Sequence, residues 1–240
     1  MRLPERWEAA FVAGADGCRA GWIVVRALQP REGRLRLADV TVLPDFAGVL
    51  ELTRSCAALA VDIPIGLSAD GRRDADFEAR RRIGPRRSSV FPAPPRQVME
   101  ARDYQTANST SKALFGRGVQ RQTFNILAKI READACMTHG LQARVVESHP
   151  EVSFWALGGE RQLEHAKRSL AGRSQRLRLL EIAFRPEVRD ARPPRGAGWD
   201  DLYDARVLAW TAARVAAGTA VHLPTEPQRD ERGLRMEIVY

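Results

Sequence analysis

The stretch FVAGADGCRAGW, residues 11–22, places a short apolar run directly before Asp16 and a glycine directly after it. The run predicts a buried β-strand, and Gly17 and Gly21 allow a tight turn into a second strand, GWIVVRA, that returns beside the first as a hairpin. An unpaired charge at a buried strand end is costly, and a metal ion or another cation relieves that cost. Asp16 is therefore either an ordinary turn aspartate or a site carboxylate.

Two further strands are predicted after the hairpin. RLRLADVTVLP (residues 34–44) alternates apolar and polar residues and predicts the third strand of an antiparallel meander. After a helix capped by Asp45, the segment CAALAVDIPIGL (56–67) is continuously apolar up to Asp62, which is typical of a strand covered on both faces. Ligand sites in open α/β sheets form at C-terminal strand ends, so Asp16 and Asp62 meet there if their strands are parallel neighbours.

A third buried strand also ends in a carboxylate. ARVVESHPEVSFWAL (143–157) reaches Glu147, and Pro150 then suits the first turn of a helix. His149, between them, is either a ligand or base of the site or a structural residue of the turn.

The last informative segment is GAGWDDLYDARVLAWTAARVAAG (196–218), whose small residues suit a helix packed closely against a sheet. Asp200 is the predicted N-cap and Gly218 the predicted end of the helix. Asp201 and Asp204 lie three residues apart in the first turn, which places both carboxylates on one face at the anion-favouring end of the helix. One acid is explained by capping, and the second favours a metal site.

The charge of the chain favours a polyanionic partner. The formal net charge is +8, with 38 lysines and arginines against 30 acids. An arginine-rich segment over residues 70–96 is either a solvated helical surface or a platform for phosphates, with Arg80, Arg86 and Arg87 nearest the turn at residues 84–85. A basic helix predicted over residues 161–184 carries Lys167 with access to the site. An arginine-rich genome would raise the same count without such a partner.

Several classes of protein are disfavoured. No apolar run is long enough to cross a bilayer, and residues 1–10 lack the apolar core of a secretory signal, so a cytoplasmic protein is expected. The three cysteines are widely separated and odd in number, which favours neither a disulfide framework nor a zinc cluster.

The order of these motifs resembles a known family. AGADGCRAGW, AVDIPIGL, RRIGPRRSSVFPAPPR, VVESHPEVSFWAL and DDLYDARVLAWTAAR look like successive motifs of the DUF429 family of predicted RNase H-like nucleases, over a range from about Phe11 to Tyr240. The resemblance implies an α/β ribonuclease H-like fold, with a central mixed five-stranded sheet flanked by helices. It further implies a single domain over residues 1–240 with a helical arginine-rich insertion at about 68–140.

The resemblance also implies a site and a chemistry. By position, Asp16, Asp62, Asp201 and Asp204 match the acids that hold metal in ribonucleases H and Holliday-junction resolvases. Glu147 falls outside that pattern, as a family-specific ligand or an acid that orients an arginine or His149. Oxygen ligands favour Mg²⁺ or Mn²⁺, and phosphodiester hydrolysis by two metal ions requires such converging carboxylates.

The expected partner is a nucleic acid of unspecified type, without a membrane, and the oligomeric state stays open, a homodimer included. The substrate-binding residues implied are Arg80, Arg86, Arg87, His149 and Lys167. Two alternatives stay open: an ATP-using phosphotransferase of the related kinase-like fold, for which no clear phosphate-binding loop is found, and a nucleic-acid-binding or scaffold protein with a vestigial site.

Overall fold

The structure is a computed structural model that describes residues 9–240. Its main sheet contains the strands Ala9–Cys18 (β1), Gly21–Pro30 (β2), Arg36–Leu43 (β3), Ala58–Val61 (β4) and Val145–Glu147 (β5). Their order is β3-β2-β1-β4-β5, with β1 to β3 antiparallel and with β4 parallel to both β1 and β5. This mixed five-stranded α/β sheet confirms the predicted fold class and is consistent with the ribonuclease H-like fold.

Helices flank the sheet and fill the connection between β4 and β5. The α-helices are Phe46–Leu52 (α1), Asp74–Arg82 (α2), Tyr104–Phe115 (α3), Arg121–Asn125 (α4), Leu127–Cys136 (α5), Pro150–Leu157 (α6), Leu170–Ala183 (α7) and Trp199–Ala216 (α8). A separate antiparallel pair is formed by His222–Arg229 (β6) and Arg235–Val239 (β7). None of the helices within residues 9–240 combines the length and apolarity that a membrane crossing requires. Residues 1–8, part of the segment without a secretory core, lie outside the described residues.

The sheet is buried on both faces, as the continuous apolar run before Asp62 predicts. Val12 of β1 and Ala60 of β4 pack on the face covered by α8. Ala13 and Val61 pack on the opposite face, against α1 and α5. Because side chains alternate along a strand, each position in β1 and β4 is assigned to one face by its parity.

Gly14 brings β1 and α8 into unusually close contact. It shares the parity of Val12 and faces α8, where a Cβ atom would lie 2.1 Å from the carbonyl oxygen of Ala205 and 2.2 Å from the nitrogen of Ala209. Any side chain at residue 14 would therefore push the backbone of α8 away from the sheet. The glycine fixes both the distance and the register between the first strand and the last helix.

The predicted basic helix over residues 161–184 is wrong at its start. The observed helix, α7, begins at Leu170, after Ser169 accepts a hydrogen bond from the backbone of Gly172 at 3.0 Å. This cap is made by the side-chain hydroxyl of Ser169, and an N-cap residue has extended backbone, so the helix does not continue on its N-terminal side. Lys167 therefore lies in the loop before α7.

Substitution of Gly14 tests the close contact. We expect Gly14→Ala to lower the free energy of unfolding by about 3 kcal/mol, because the new methyl group meets backbone atoms that cannot move independently. Urea unfolding measures the effect. Gly140→Ala is the matched control, since its Cβ would meet only the Thr138 hydroxyl at 4.0 Å. Equal stability of the two variants would contradict the close packing.

Candidate active site

Strand register places Asp16 beside Asp62. In the parallel pairing of β1 and β4, Ala15 lies opposite Val61, and the backbone nitrogen of Asp62 donates to the carbonyl of Ala15 at 3.0 Å. Asp16 follows Ala15 along β1, and Asp62 follows Val61 at the end of β4. Asp16 and Asp62 also share the parity of Val12 and Ala60, so both belong to the face of the sheet that α8 covers.

Asp204 joins them from α8. It immediately precedes Ala205, whose carbonyl oxygen makes the close contact with Gly14, two residues before Asp16. Asp204 is almost fully buried, and it lines one open cavity of about 480 Å³ together with Asp16 and Asp62. The structure thus brings together three of the four aspartates predicted as metal ligands.

Burial and neighbouring carboxylates raise the pKa of each of the three aspartates. Burial, and next the neighbouring carboxylates of Asp62 and Asp204, raise the pKa of Asp16 well above its usual value. Burial raises the pKa of Asp204 to about 6, against the opposing influence of Lys167. Burial likewise raises the pKa of Asp62. Such a group of mutually repelling buried acids is more common at functional sites than in structural ion pairs.

Lys167 supplies the direct counter-charge. Its Nζ donates to Oδ2 of Asp204 at 2.8 Å, and Asp204 together with Asp16 and Asp62 raises the lysine pKa despite burial. Oδ1 of Asp204 is buried without a hydrogen-bond partner within residues 9–240. Within residues 9–240, Lys167 is the one cation that forms an ion pair with any of the three aspartates, so the carboxylates outnumber their direct partners.

Glu151 is a further carboxylate of the cavity, close to the three aspartates, and was not singled out from the sequence. It lies in the first turn of α6, lines the cavity, and contributes to the raised pKa of both Asp62 and Asp204. One oxygen pairs with the buried guanidinium of Arg176, while Oε2 has no hydrogen-bond partner among the described residues. Its position in the first turn of the helix that follows β5 is the signal that could have identified it.

Glu147 has a different role from the aspartates. It pairs in register with Val61 and so has the parity of the opposite sheet face, although it contacts the cavity wall. Its oxygens accept from Arg73 at 2.5 and 3.2 Å and from the backbone of Ile65 at 2.7 Å. Burial raises its pKa to about 7 in spite of Arg73. Of the two roles considered for Glu147, this arrangement is that of an acid that orients an arginine.

Asp201 caps the helix rather than lining the cavity. Oδ2 of Asp201 accepts from the backbone nitrogen of Gly198 at 2.8 Å, and α8 begins at Trp199. The prediction of Asp200 as N-cap is wrong, because Gly198 takes that position. Asp200 instead lies near the guanidinium groups of Arg168 and Arg173, at 3.4 and 3.7 Å.

His149 is held at the cavity wall by both ring nitrogens. Nδ1 accepts from the backbone nitrogen of Glu151, and Nε2 lies 3.2 Å from the carbonyl oxygen of Ser89, to which it donates in the matching tautomer. The ring therefore caps α6 and ties it to the loop before Val90. Both nitrogens are engaged, so a proton-transfer role would require one of these bonds to break.

The three arginines predicted to bind substrate are placed differently. Arg86 lines the cavity, and its Nε donates to the carbonyl of Leu163 at 2.7 Å. Arg80 does not line this cavity, but it donates at 2.9 Å to the carbonyl of Val90, which does. Arg87 is exposed and does not line this cavity. Lys129, which was not predicted, lines the cavity and donates to the carbonyl of Gly21 at 2.6 Å.

The donor set fits a hard divalent cation in its chemistry. The carboxylates that line the cavity supply oxygen ligands, and Oδ1 of Asp204 and Oε2 of Glu151 have no hydrogen-bond partner among the described residues. The lining includes no cysteine and no histidine besides His149. Among residues 9–240, however, no group of three or more His, Cys, Asp or Glu side chains is placed so that it could hold a metal ion as it stands. The ammonium of Lys167 occupies the near side of Asp204 in this arrangement.

Comparison with known proteins identifies one family. Residues 14–229 match the family described as "Protein of unknown function (DUF429)". No curated protein and no solved structure matches the chain. The match spans most of the chain and includes Asp16, Asp62, Glu151, Lys167 and Asp204.

The two kinds of buried acid predict opposite effects on stability. We expect Asp16→Asn to raise the free energy of unfolding by about 1 kcal/mol, because it removes one of several repelling carboxylates. We expect Glu147→Gln to lower it by about 3 kcal/mol, because it removes the doubly hydrogen-bonded partner of the buried Arg73 and leaves that guanidinium only its pair with Asp76 at 3.3 Å. Urea unfolding in the presence of EDTA measures both, and destabilisation by Asp16→Asn would contradict the electrostatic description.

The raised pKa of Asp204 predicts a pH dependence of stability. The folded value of about 6 exceeds the usual value of about 4, so the folded protein binds the proton more tightly than the unfolded chain does. This contribution is fully present below about pH 4 and is lost as the pH rises through about 6. In EDTA, the stability of the wild type relative to Asp204→Asn should therefore fall over this range. A pH-independent difference would show that the pKa of Asp204 is not raised.

Proposed function

The chain belongs to the DUF429 family, and we propose that it is a metal-dependent RNase H-like nuclease that hydrolyses phosphodiester bonds at its aspartate cavity. The observation that carries the proposal is the convergence of Asp16, Asp62 and Asp204 in one cavity at the C-terminal sheet edge, with a single ammonium group as direct counter-charge. Carboxylates from different elements that converge in this way are what two-metal phosphodiester hydrolysis requires.

Asp16, Asp62 and Asp204 would hold the divalent ions, Mg²⁺ or Mn²⁺, with Glu151 next to them. When bound, the ions supply an activated water and stabilise the leaving oxygen. The orphaned Oδ1 of Asp204 and the raised pKa values of the aspartates support a cation at this place, because a cation would relieve their repulsion. Asp201, which was expected from the sequence as a ligand, is left out of this set, since its carboxylate caps α8 and does not line the cavity.

The cationic groups of the cavity suit a phosphate backbone. Three cations line it, and each is held in place by a hydrogen bond: Lys167 to Asp204, Arg86 to Leu163 and Lys129 to Gly21. Charged donors held in fixed positions bind phosphate oxygens and orient the scissile group with little loss of conformational freedom. Lys167 also keeps Asp204 ionised, since its charge opposes the effect of burial on the aspartate pKa.

A nucleic-acid-binding protein with an inactive site is the second candidate. The observation that favours it is the present placement of the side chains, which forms no three-ligand metal group among the described residues. In that case Lys167 would serve as a permanent internal cation. The two functions differ in whether a bound strand is cleaved.

Cleavage assays separate these functions. The full-length protein is incubated with labelled single-stranded, duplex, hybrid and branched nucleic acids in Mg²⁺ or Mn²⁺. We expect metal-dependent cleavage that Asp16→Asn and Asp62→Asn each reduce at least about 100-fold, because each removes a carboxylate that would hold the metal ions.

Asp201→Asn is the matched control, three residues from Asp204 in the same helix but outside the cavity. Its cleavage rate should remain close to that of the wild type, whereas Asp204→Asn should behave like Asp16→Asn. Binding of all substrates without cleavage in either metal would favour the inactive binding protein. Cleavage that survives Asp16→Asn would place the active site elsewhere.

A further inference from the structure

A second cavity lies next to the aspartate cavity, behind α2. It has a volume of about 370 Å³, and four arginines, Arg72, Arg73, Arg80 and Arg117, line it. Asp76 lines both cavities, and it accepts from the backbone nitrogen of Ala93 at 2.8 Å. The two cavities are therefore neighbours.

The second cavity carries unbalanced positive charge. Its four guanidinium groups share the cavity lining with two carboxylates, Asp74 and Asp76. Arg73 is already balanced by Glu147 at 2.5 Å and Asp76 at 3.3 Å, so the unbalanced charge belongs to the other arginines. Arg72 and Arg117 are exposed and form no ion pair within residues 9–240. The buried Nε of Arg73 has no hydrogen-bond partner in the described part of the chain. Groups of this kind bind phosphate or carboxylate.

The exposed ring of Phe77 indicates which class of anion the second cavity binds. Its ring lines the same cavity and is 67% exposed, although apolar side chains of this size are usually covered. Proteins that bind single-stranded nucleic acids combine an exposed ring with guanidinium groups, because the bases stack on the ring and the phosphates bind the cations. An acidic peptide would need the cations but not the ring.

Residues 90–92 form the wall between the two cavities and mark the path that a nucleic-acid strand would follow from one to the other. Val90 and Phe91 line the aspartate cavity, while Pro92 lines the second one. Arg80 holds this wall through the carbonyl of Val90. Phe91 is itself 37% exposed, so an exposed aromatic ring lies on each side of the wall.

We infer that the cavity lined by Phe77, Arg72 and Arg117 is a nucleotide-binding subsite, which holds a single-stranded segment of nucleic acid that continues across residues 90–92 to the aspartate cavity. This inference rests on the proposed function for the role of the aspartate cavity. The subsite binds one or a few nucleotides beyond the scissile bond and selects substrates with an unpaired strand.

Binding without cleavage tests the subsite. Fluorescence anisotropy in EDTA measures the affinity of the full-length protein for labelled oligothymidylate and oligouridylate of about 12 nucleotides. We expect Phe77→Ala to weaken binding by about 5-fold to 100-fold through loss of base stacking. We expect Arg117→Gln to reduce the slope of log affinity against log salt by about 0.7, the change for one lost phosphate contact on a single strand.

Leu170→Ala is the matched control for an exposed apolar side chain, since Leu170 is 83% exposed and lines neither cavity. Its affinity should equal that of the wild type. Unchanged binding by Phe77→Ala overturns the subsite, as does displacement of the strand by polyglutamate with the same efficiency as by unlabelled strand.

The outcome is separable from that of the proposed function. Binding that depends on Phe77 without any cleavage in Mg²⁺ or Mn²⁺ supports the subsite and overturns the nuclease. Cleavage in Mg²⁺ or Mn²⁺, together with an affinity for the nucleic-acid strand that Phe77→Ala leaves unchanged, supports the nuclease and overturns the subsite. The oligothymidylate and oligouridylate arms separate DNA from RNA as the bound strand.

Discussion

The close contact between Gly14 and α8 is the constraint on which the rest of the site depends. It sets the last helix against the first strand at one position, with the Ala205 carbonyl over Gly14. Asp204 is thereby fixed near Asp16, and the parallel register of β1 and β4 adds Asp62. The three aspartates come from distant parts of the sequence, so backbone packing rather than local structure brings them together.

Two sorts of buried acid follow from this architecture. Glu147 receives two bonds from Arg73 and one from a backbone nitrogen, so it stabilises the loop after β4. The aspartates share Lys167 and keep an orphaned oxygen, so their repulsion is left in the folded protein. Retained repulsion of this kind destabilises the fold and pre-organises a site for cations, which is a frequent trade-off between stability and function.

Much of the fold could be predicted from the sequence, because continuous apolar runs and turn residues specify the strands and their ends. Asp62 was predictable for the same reason, since it directly follows β4. The prediction that the first strand ends at Asp16 is wrong, because β1 continues through Gly17 to Cys18 in the hairpin with β2, although Asp16 still lies beside Asp62. The roles of Asp201 and Asp204 could not be separated, because helical spacing alone does not tell which carboxylate caps the helix. Glu151 was missed because a single acid that follows a proline shows no periodic pattern in the sequence. The loop position of Lys167 could not be predicted either, because it depends on the helix cap at Ser169.

The central claim is that the aspartate cavity is a site for divalent cations. Titration of the metal-free protein with Mn²⁺, followed by electron paramagnetic resonance of the free ion, tests it most directly. The account predicts saturable binding to the wild type that Asp204→Asn weakens at least about tenfold, while Asp201→Asn, which changes a carboxylate outside the cavity, binds as the wild type does. Absence of saturable binding, or binding that Asp204→Asn leaves unchanged, would contradict the claim.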